Sequence, residues 1–254
     1  MYLKAPTTLG LVLIAACSSA PLNMDVDSDE PLNQVPQRAQ PKQPQASEVL
    51  LKGRIFRVRW GDGDTFSFKT LSGKRKNARL AGFNALESYG PVHRWGQWTP
   101  QELYGLAKKA GTVAAAQGWV CKQLPGGGGY GRLLVSCPEL KKALLRQGLA
   151  HVFSIDGPGD APSMSLQHGA QSQGQGMWAK GVPDGLVTSL HSRDERPEND
   201  TAYDRVVSTK TGHAPTLEHA KSYGTCDEVC HQGSCMVYVP YRERYGKKRP
   251  SCLR

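Results

Sequence analysis

No run in this 254-residue chain reaches the roughly 20 consecutive apolar residues that a membrane-spanning helix requires. The stretch TTLGLVLIAA at 7–16 is too short, and with Lys4 as its positive flank it reads as a cleaved secretory signal over residues 1–16. No later stretch could cross a bilayer, which leaves lipid as the means of any membrane attachment. There is no internal repeat, so stacked-repeat architectures are set aside. Aromatic residues are absent from 18–49, a segment rich in Pro, Gln, Ser and Asp. Such a segment cannot bury a core, and residues 17–49 are expected to form an extended tether.

Cysteine is present in a telling arrangement. Ile14-Ala15-Ala16-Cys17 resembles the lipobox of bacterial lipoproteins, which implies cleavage before Cys17 and acylation of its thiol. With Ser18 next, the resemblance leans towards an outer membrane, and the expected location is the cell envelope. Six cysteines follow, an even number that favours disulfides in an oxidising compartment. Cys121 and Cys137 flank GGGGYGR at the bases of a hairpin pattern and could pair across it. Closing such a loop would stabilise the fold by roughly 3 kcal/mol. Cys226, Cys230, Cys235 and Cys252 cluster near the C-terminus. Their spacing, with His231 among them, admits a zinc reading, but it differs from regular zinc knuckles. Two further disulfides are favoured, with the pairing left open.

Charge is uneven. Residues 50–181 hold 18 Lys or Arg against 7 Asp or Glu, whereas the tether is net negative and residues 182–254 are close to balanced. A positive excess confined to one region points to a polyanionic partner.

Periodicity places three strands in that region. RIFRVRW (54–60) and TFSFKTL (65–71) alternate, SGK (72–74) turns the chain, and KNARLAG (76–82) follows. Thr99-Pro100-Gln101-Glu102 supplies a cap, a proline at the first helical position and a capping-box glutamate. A helix is expected from there to near Gly118. WVCKQL and RLLVSC form the hairpin around the glycine run, and Pro138-Glu139 opens a second helix ending near Gly148. A third, over 163–178, is weakened by three glycines. This order predicts an α+β fold: a five-stranded OB-type barrel with about three helices over 50–181, and a small Cys-rich extension over 182–254.

WGDGDTF (60–66) raises the functional question. Asp-Gly between alternating apolar runs is a hairpin signal, and most such aspartates only make a turn. Three other motifs bear on it. DGDTF (62–66), RLAGFNALE (79–87), YGRLL (130–134) and LLRQGLA (144–150) together resemble the staphylococcal-nuclease (thermonuclease) family in order and spacing. The resemblance spans roughly residues 51–180. It implies an OB barrel with helices that cleaves DNA and RNA with calcium. It also implies that Arg79, Arg132 and Glu87 are catalytic and that Asp64 is a direct calcium ligand with Asp62 behind it. Further ligands would be Asn84 and the backbone carbonyl of Ala85; another divalent cation could substitute. These residue types suit the chemistry. A guanidinium fork grips phosphate oxygens and stays charged, and a carboxylate can orient or deprotonate water.

Three departures from the family pattern matter. Asn84 stands where the family has aspartate, which predicts weaker calcium affinity or altered metal choice. Leu86 replaces a proline, so the loop bearing Glu87 is expected to be less rigid. Gly126–Gly129 replaces an acidic approach to YGR, so Arg132 is expected to be less firmly placed. The family's base-stacking tyrosines are not evident after the second helix, where His151 and Phe153 are equally consistent with packing. Tyr130, Trp95 and His93 are the substrate-binding candidates. The segment SYGPVHRWGQW (88–98) fits either base stacking or a loop anchored on the barrel. CMVYVPYRERYG (235–246) reads as a strand entering an aromatic, basic turn that packs on the barrel or binds substrate or cell wall. The expected activity is metal-dependent nucleolysis by a lipid-anchored monomer with no protein partner; the alternative is a nucleic-acid-binding lipoprotein with weak or no catalysis.

Overall fold

A computed structural model describes residues 43–246 and 249–254. The expectations for the signal segment, for Cys17 and for the tether up to residue 42 lie outside the described residues. Residues Lys42–Arg254 form one compact unit.

The barrel begins earlier than its pattern indicated. β1 (Glu48–Leu51) takes two residues from the expected tether and buries Val49 and Leu51. Four residues are too few to display a period, so the strand was not legible. β2 (Arg54–Trp60), β3 (Thr65–Lys69) and β4 (Arg75–Leu80) follow as an antiparallel meander. In β3, Phe66 and Phe68 point inward while Lys69 faces solvent. β5 (Phe83–Ala85) and β6 (His93–Trp95) leave the barrel. α1 (Pro100–Ala115) is capped as expected: Glu102 N–H donates to Thr99 Oγ1, and Thr99 N–H donates to Glu102 Oε2.

β7 (Trp119–Gly127) and β8 (Leu133–Ser136) make the glycine-run hairpin. β8 lies parallel to β4 and β7 parallel to β1, which closes a barrel of six strands, not the expected five. α2 (Pro138–Arg146) packs beneath it, and β9 (Ala150–Val152) pairs antiparallel with β5. α3 (Ala161–Ser172) is shorter than the 163–178 pattern suggested. Gly174 and Gly176 adopt left-handed φ values of 59° and 53°, which no continuing right-handed helix can use. The remaining residues Gly176–Trp178 form a single 3-10 turn.

The extension holds more structure than its polar composition suggested. β10 (Gly185–Ser189), β11 (Ala202–Ser208) and β12 (Thr216–His219) form one antiparallel sheet. β13 (Glu228–His231) and β14 (Ser234–Val237) form a hairpin, and β14 pairs with β6. The 88–98 segment thus supplies a strand to the extension's sheet.

Disulfides join Cys121 to Cys137, Cys226 to Cys252 and Cys230 to Cys235. The sulfurs are consumed in these bonds, and His231 turns to Asp204, so the zinc reading falls away. No helix of the described residues is long and apolar enough to cross a membrane.

Candidate active site

The Asp62-Gly63-Asp64 turn is shaped by the helix behind it. Gly63 has a φ of 99°, and a Cβ there would lie 3.1 Å from Ala110. A Cβ on Gly111 would stand 2.4 Å from the Gly61 carbonyl oxygen. Both glycines therefore let α1 press against the turn, and Asp64 is directed inward, only 1% exposed.

Register does the rest. Thr65 lies opposite Arg79 across β3 and β4, so Arg79 emerges beside Asp64. Its Nη1 donates to Asp64 Oδ1 at 2.5 Å, and its Nη2 donates to Asn84 Oδ1. Thr65 Oγ1 also donates to Asp64 Oδ1, at 3.0 Å, and Ala85 N–H donates to Asp64 Oδ2 at 2.7 Å. The turn, β4 and β5 thus meet at one carboxylate.

Glu87 follows on the loop after β5 and is half-buried. Burial, then the charge of Asp64, pushes its carboxyl above the ordinary range; Arg244, Arg79 and Arg132 oppose that shift. Asp62 is raised well above its ordinary value, first by burial and then by Asp64 and Glu87. Its Oδ1 is buried without a hydrogen-bond partner among the described residues. The Glu87 loop is not slack in the way the missing proline suggested. Leu86 is buried with Trp95 and Leu103, so packing replaces ring rigidity.

The glycine run likewise holds Arg132 rather than loosening it. Gly128 N–H donates to Arg132 O at 2.9 Å, Arg132 N–H donates to Gly129 O at 3.0 Å, and Arg132 Nε donates to Gly128 O at 2.9 Å. A Cβ on Gly128 would lie 2.7 Å from the Arg79 Cβ, so only glycine lets the hairpin tip approach β4 so closely. Tyr130 is 86% exposed at that tip, with the Arg132 guanidinium 5.7 Å from its ring centre.

Two substrate-binding expectations are corrected. Trp95 is buried, and its Nε1 donates to Gly181 O at 3.2 Å, so it has no free face for a base. His93 is also buried, and its Nε2 accepts the Glu87 N–H at 3.2 Å. Burial, reinforced by His151, lowers the His93 pKa to about 3, so the ring is a neutral acceptor that positions the Glu87 backbone. With Tyr89 and Val92 buried as well, the 88–98 segment is an anchored loop. His151 is buried opposite Asn84, and Phe153 packs in the core.

The expected ligands, Asp64, Asn84 and the Ala85 carbonyl, offer only oxygens, the donor type that a hard divalent cation takes, and Asp62 Oδ1 is buried without a partner among the described residues. Burial and, after it, the like charge of Asp64 raise both Asp62 and Glu87, and a cation would relieve the second of these. Arg79 donates to one oxygen of Asp64 and to that of Asn84. Elsewhere among the described residues, Glu228, Cys230 and Cys235 crowd together, but both sulfurs are in a disulfide. An open cleft of about 570 Å³ lies at the Lys69 end of β3, away from Asp64.

Sequence reasoning missed Arg244, which comes from the extension and bears on Glu87. Its signal was the aromatic and basic run YRERYG, but nothing local ties that run to the barrel. Fold and site together define a closed barrel whose rim carries an arginine–carboxylate cluster. No protein-family model matches the chain, and no curated protein matches it.

Proposed function

We propose that this chain is a metal-dependent phosphodiesterase acting on DNA and RNA. The convergence of Asp64, Arg79, Asn84 and Ala85 from three segments at one carboxylate carries the reading, with Arg79 and Arg132 close enough to Glu87 to act on it electrostatically. The order of elements and the four motifs resemble staphylococcal nuclease, and the closed barrel is consistent with an OB type although β1 brings its strands to six. The net positive charge of residues 50–181 favours a polyanionic substrate.

In this reading Arg79 and Arg132 hold phosphate oxygens as charge develops, and Glu87 orients or deprotonates the attacking water. Asp64, Asn84 and the Ala85 carbonyl would hold calcium, with Asp62 behind them; a bound cation supplies Lewis-acid stabilisation of the phosphate. Acylated Cys17 and the tether would retain a monomeric enzyme at the cell envelope.

One observation favours a second reading, a strand-binding protein without catalysis. A cation would have to displace Arg79 from Asp64, and Asn84 contributes no charge to help it. The test is denatured DNA with millimolar calcium, with and without chelator, using the full chain and its Glu87→Gln variant. Cleavage lost in both chelator and the variant supports hydrolysis. Salt-sensitive binding without cleavage in calcium, magnesium or manganese supports the second reading.

A further inference from the structure

The C-terminal segment returns to the same rim. The Arg244 guanidinium lies 4.9 Å from the centre of the Tyr89 ring, and its Nε donates to Val239 O at 2.9 Å. Tyr89 is two residues beyond Glu87, and its hydroxyl is buried without a partner among the described residues. Tyr245 meets Tyr89 edge-on at 6.2 Å, and Tyr241 meets Tyr245 at 6.0 Å. Tyr89 is buried, but Tyr245 is 61% exposed and Tyr241 75% exposed.

The segment is held rather than draped. β14 is hydrogen-bonded to β6, and Cys226–Cys252 ties the C-terminus back to the hairpin. Leu253 sits so close to Gly90 that a Cβ there would lie 2.6 Å from Leu253 Cδ2. The run YRERYGKKR (241–249) carries five basic residues and one acidic one. Two exposed rings in contact, next to a fixed guanidinium in a basic run, suit a ligand with flat faces and negative charge. An unpaired nucleotide strand offers both, whereas a duplex keeps its base faces stacked.

We propose that Tyr241, Arg244 and Tyr245 form a subsite for single-stranded nucleic acid beside Glu87. Bases stack on the two tyrosines, and Arg244 faces the adjoining phosphate. The proposal rests on the nucleolytic reading only where it sets that phosphate next to Glu87; strand binding stands apart from it.

The experiment titrates the full chain carrying Glu87→Gln with a fluorescein-labelled oligothymidylate and with a duplex of equal length. Single strands are expected to bind more tightly. Adding Tyr241→Ala and Tyr245→Ala should weaken oligothymidylate binding by about 10-fold or more, with a much smaller change for duplex. Adding Arg244→Ala should reduce the slope of log affinity against log salt by roughly 0.7 on the single strand, and Arg244→Lys should restore most of it. Unchanged oligothymidylate affinity in the double-tyrosine variant, with its disulfides and melting temperature intact, overturns the subsite. So does tighter binding on Arg244→Ala, which would make the segment a cover instead. A native chain that cleaves nothing but binds through the tyrosines keeps the subsite and loses the nuclease. Cleavage with binding that ignores the tyrosines does the reverse.

Discussion

Two aspartates are almost wholly buried among the described residues, and their surroundings differ in kind. Asp204 on β11, 0% exposed, is enclosed by Tyr223, His231 and His219 at 2.7, 2.8 and 3.2 Å, contacts that join three strands of the extension. Asp64, 1% exposed, is bonded to Arg79, Thr65 and the Ala85 N–H, yet it lies among two further acids that burial and like charge both raise. A carboxylate with every neighbour matched is a structural joint. One with unmatched acids beside it keeps an unspent attraction for a cation, the usual electrostatic signature of a functional site.

That contrast can be broken from either side. The largest effect is expected at the rim: Glu87→Gln should reduce cleavage by about 10²–10⁴-fold with little change in melting temperature. A comparable loss of stability would make Glu87 a packing residue. At the joint the effect should fall on folding instead. Asp204→Ala strands two imidazoles and a phenol, and urea titration should register a loss of about 2–5 kcal/mol. An unchanged midpoint would remove the distinction between the two aspartates.

A third effect follows from His93. Its folded pKa of about 3 lies below its unfolded value of 6.5, so between those values the unfolded chain binds the proton and the folded one does not. Stability should therefore fall as pH drops below 6.5 and level off near 3, by at most about 1.4 kcal/mol per pH unit from this residue. The slope should flatten in His93→Gln. The smallest effect sharpens the cation side. Asn84→Asp should lower the calcium needed for half-maximal rate by about 3- to 10-fold, because charge count tunes such sites. An unchanged requirement would remove residue 84 from the ligand set.

Much of the barrel was legible because its strands alternate and its first helix carries its own cap. Thr99, Pro100 and Glu102 act within one turn, so α1 could be read from adjacent letters. β1 was hidden by its length, and β11 and β12 by polar residues whose strand partners are each other and β10. Asp64, Arg79 and Asn84 could be named from motifs, and the structure brings them together. Trp95 and His93 could not be judged, because an aromatic beside a basic residue reads the same whether it faces solvent or core.

Local chemistry, then, was enough for the strand alternation, the helix caps, the glycine turns and the uneven charge, since each depends on neighbours a few residues apart. Tertiary structure alone decided the sixth strand, the three disulfide partners, the burial of the 88–98 loop and the arrival of Arg244 beside Glu87. Those depend on contacts between segments as much as 163 residues apart, Gly90 with Leu253, for which no local periodicity exists.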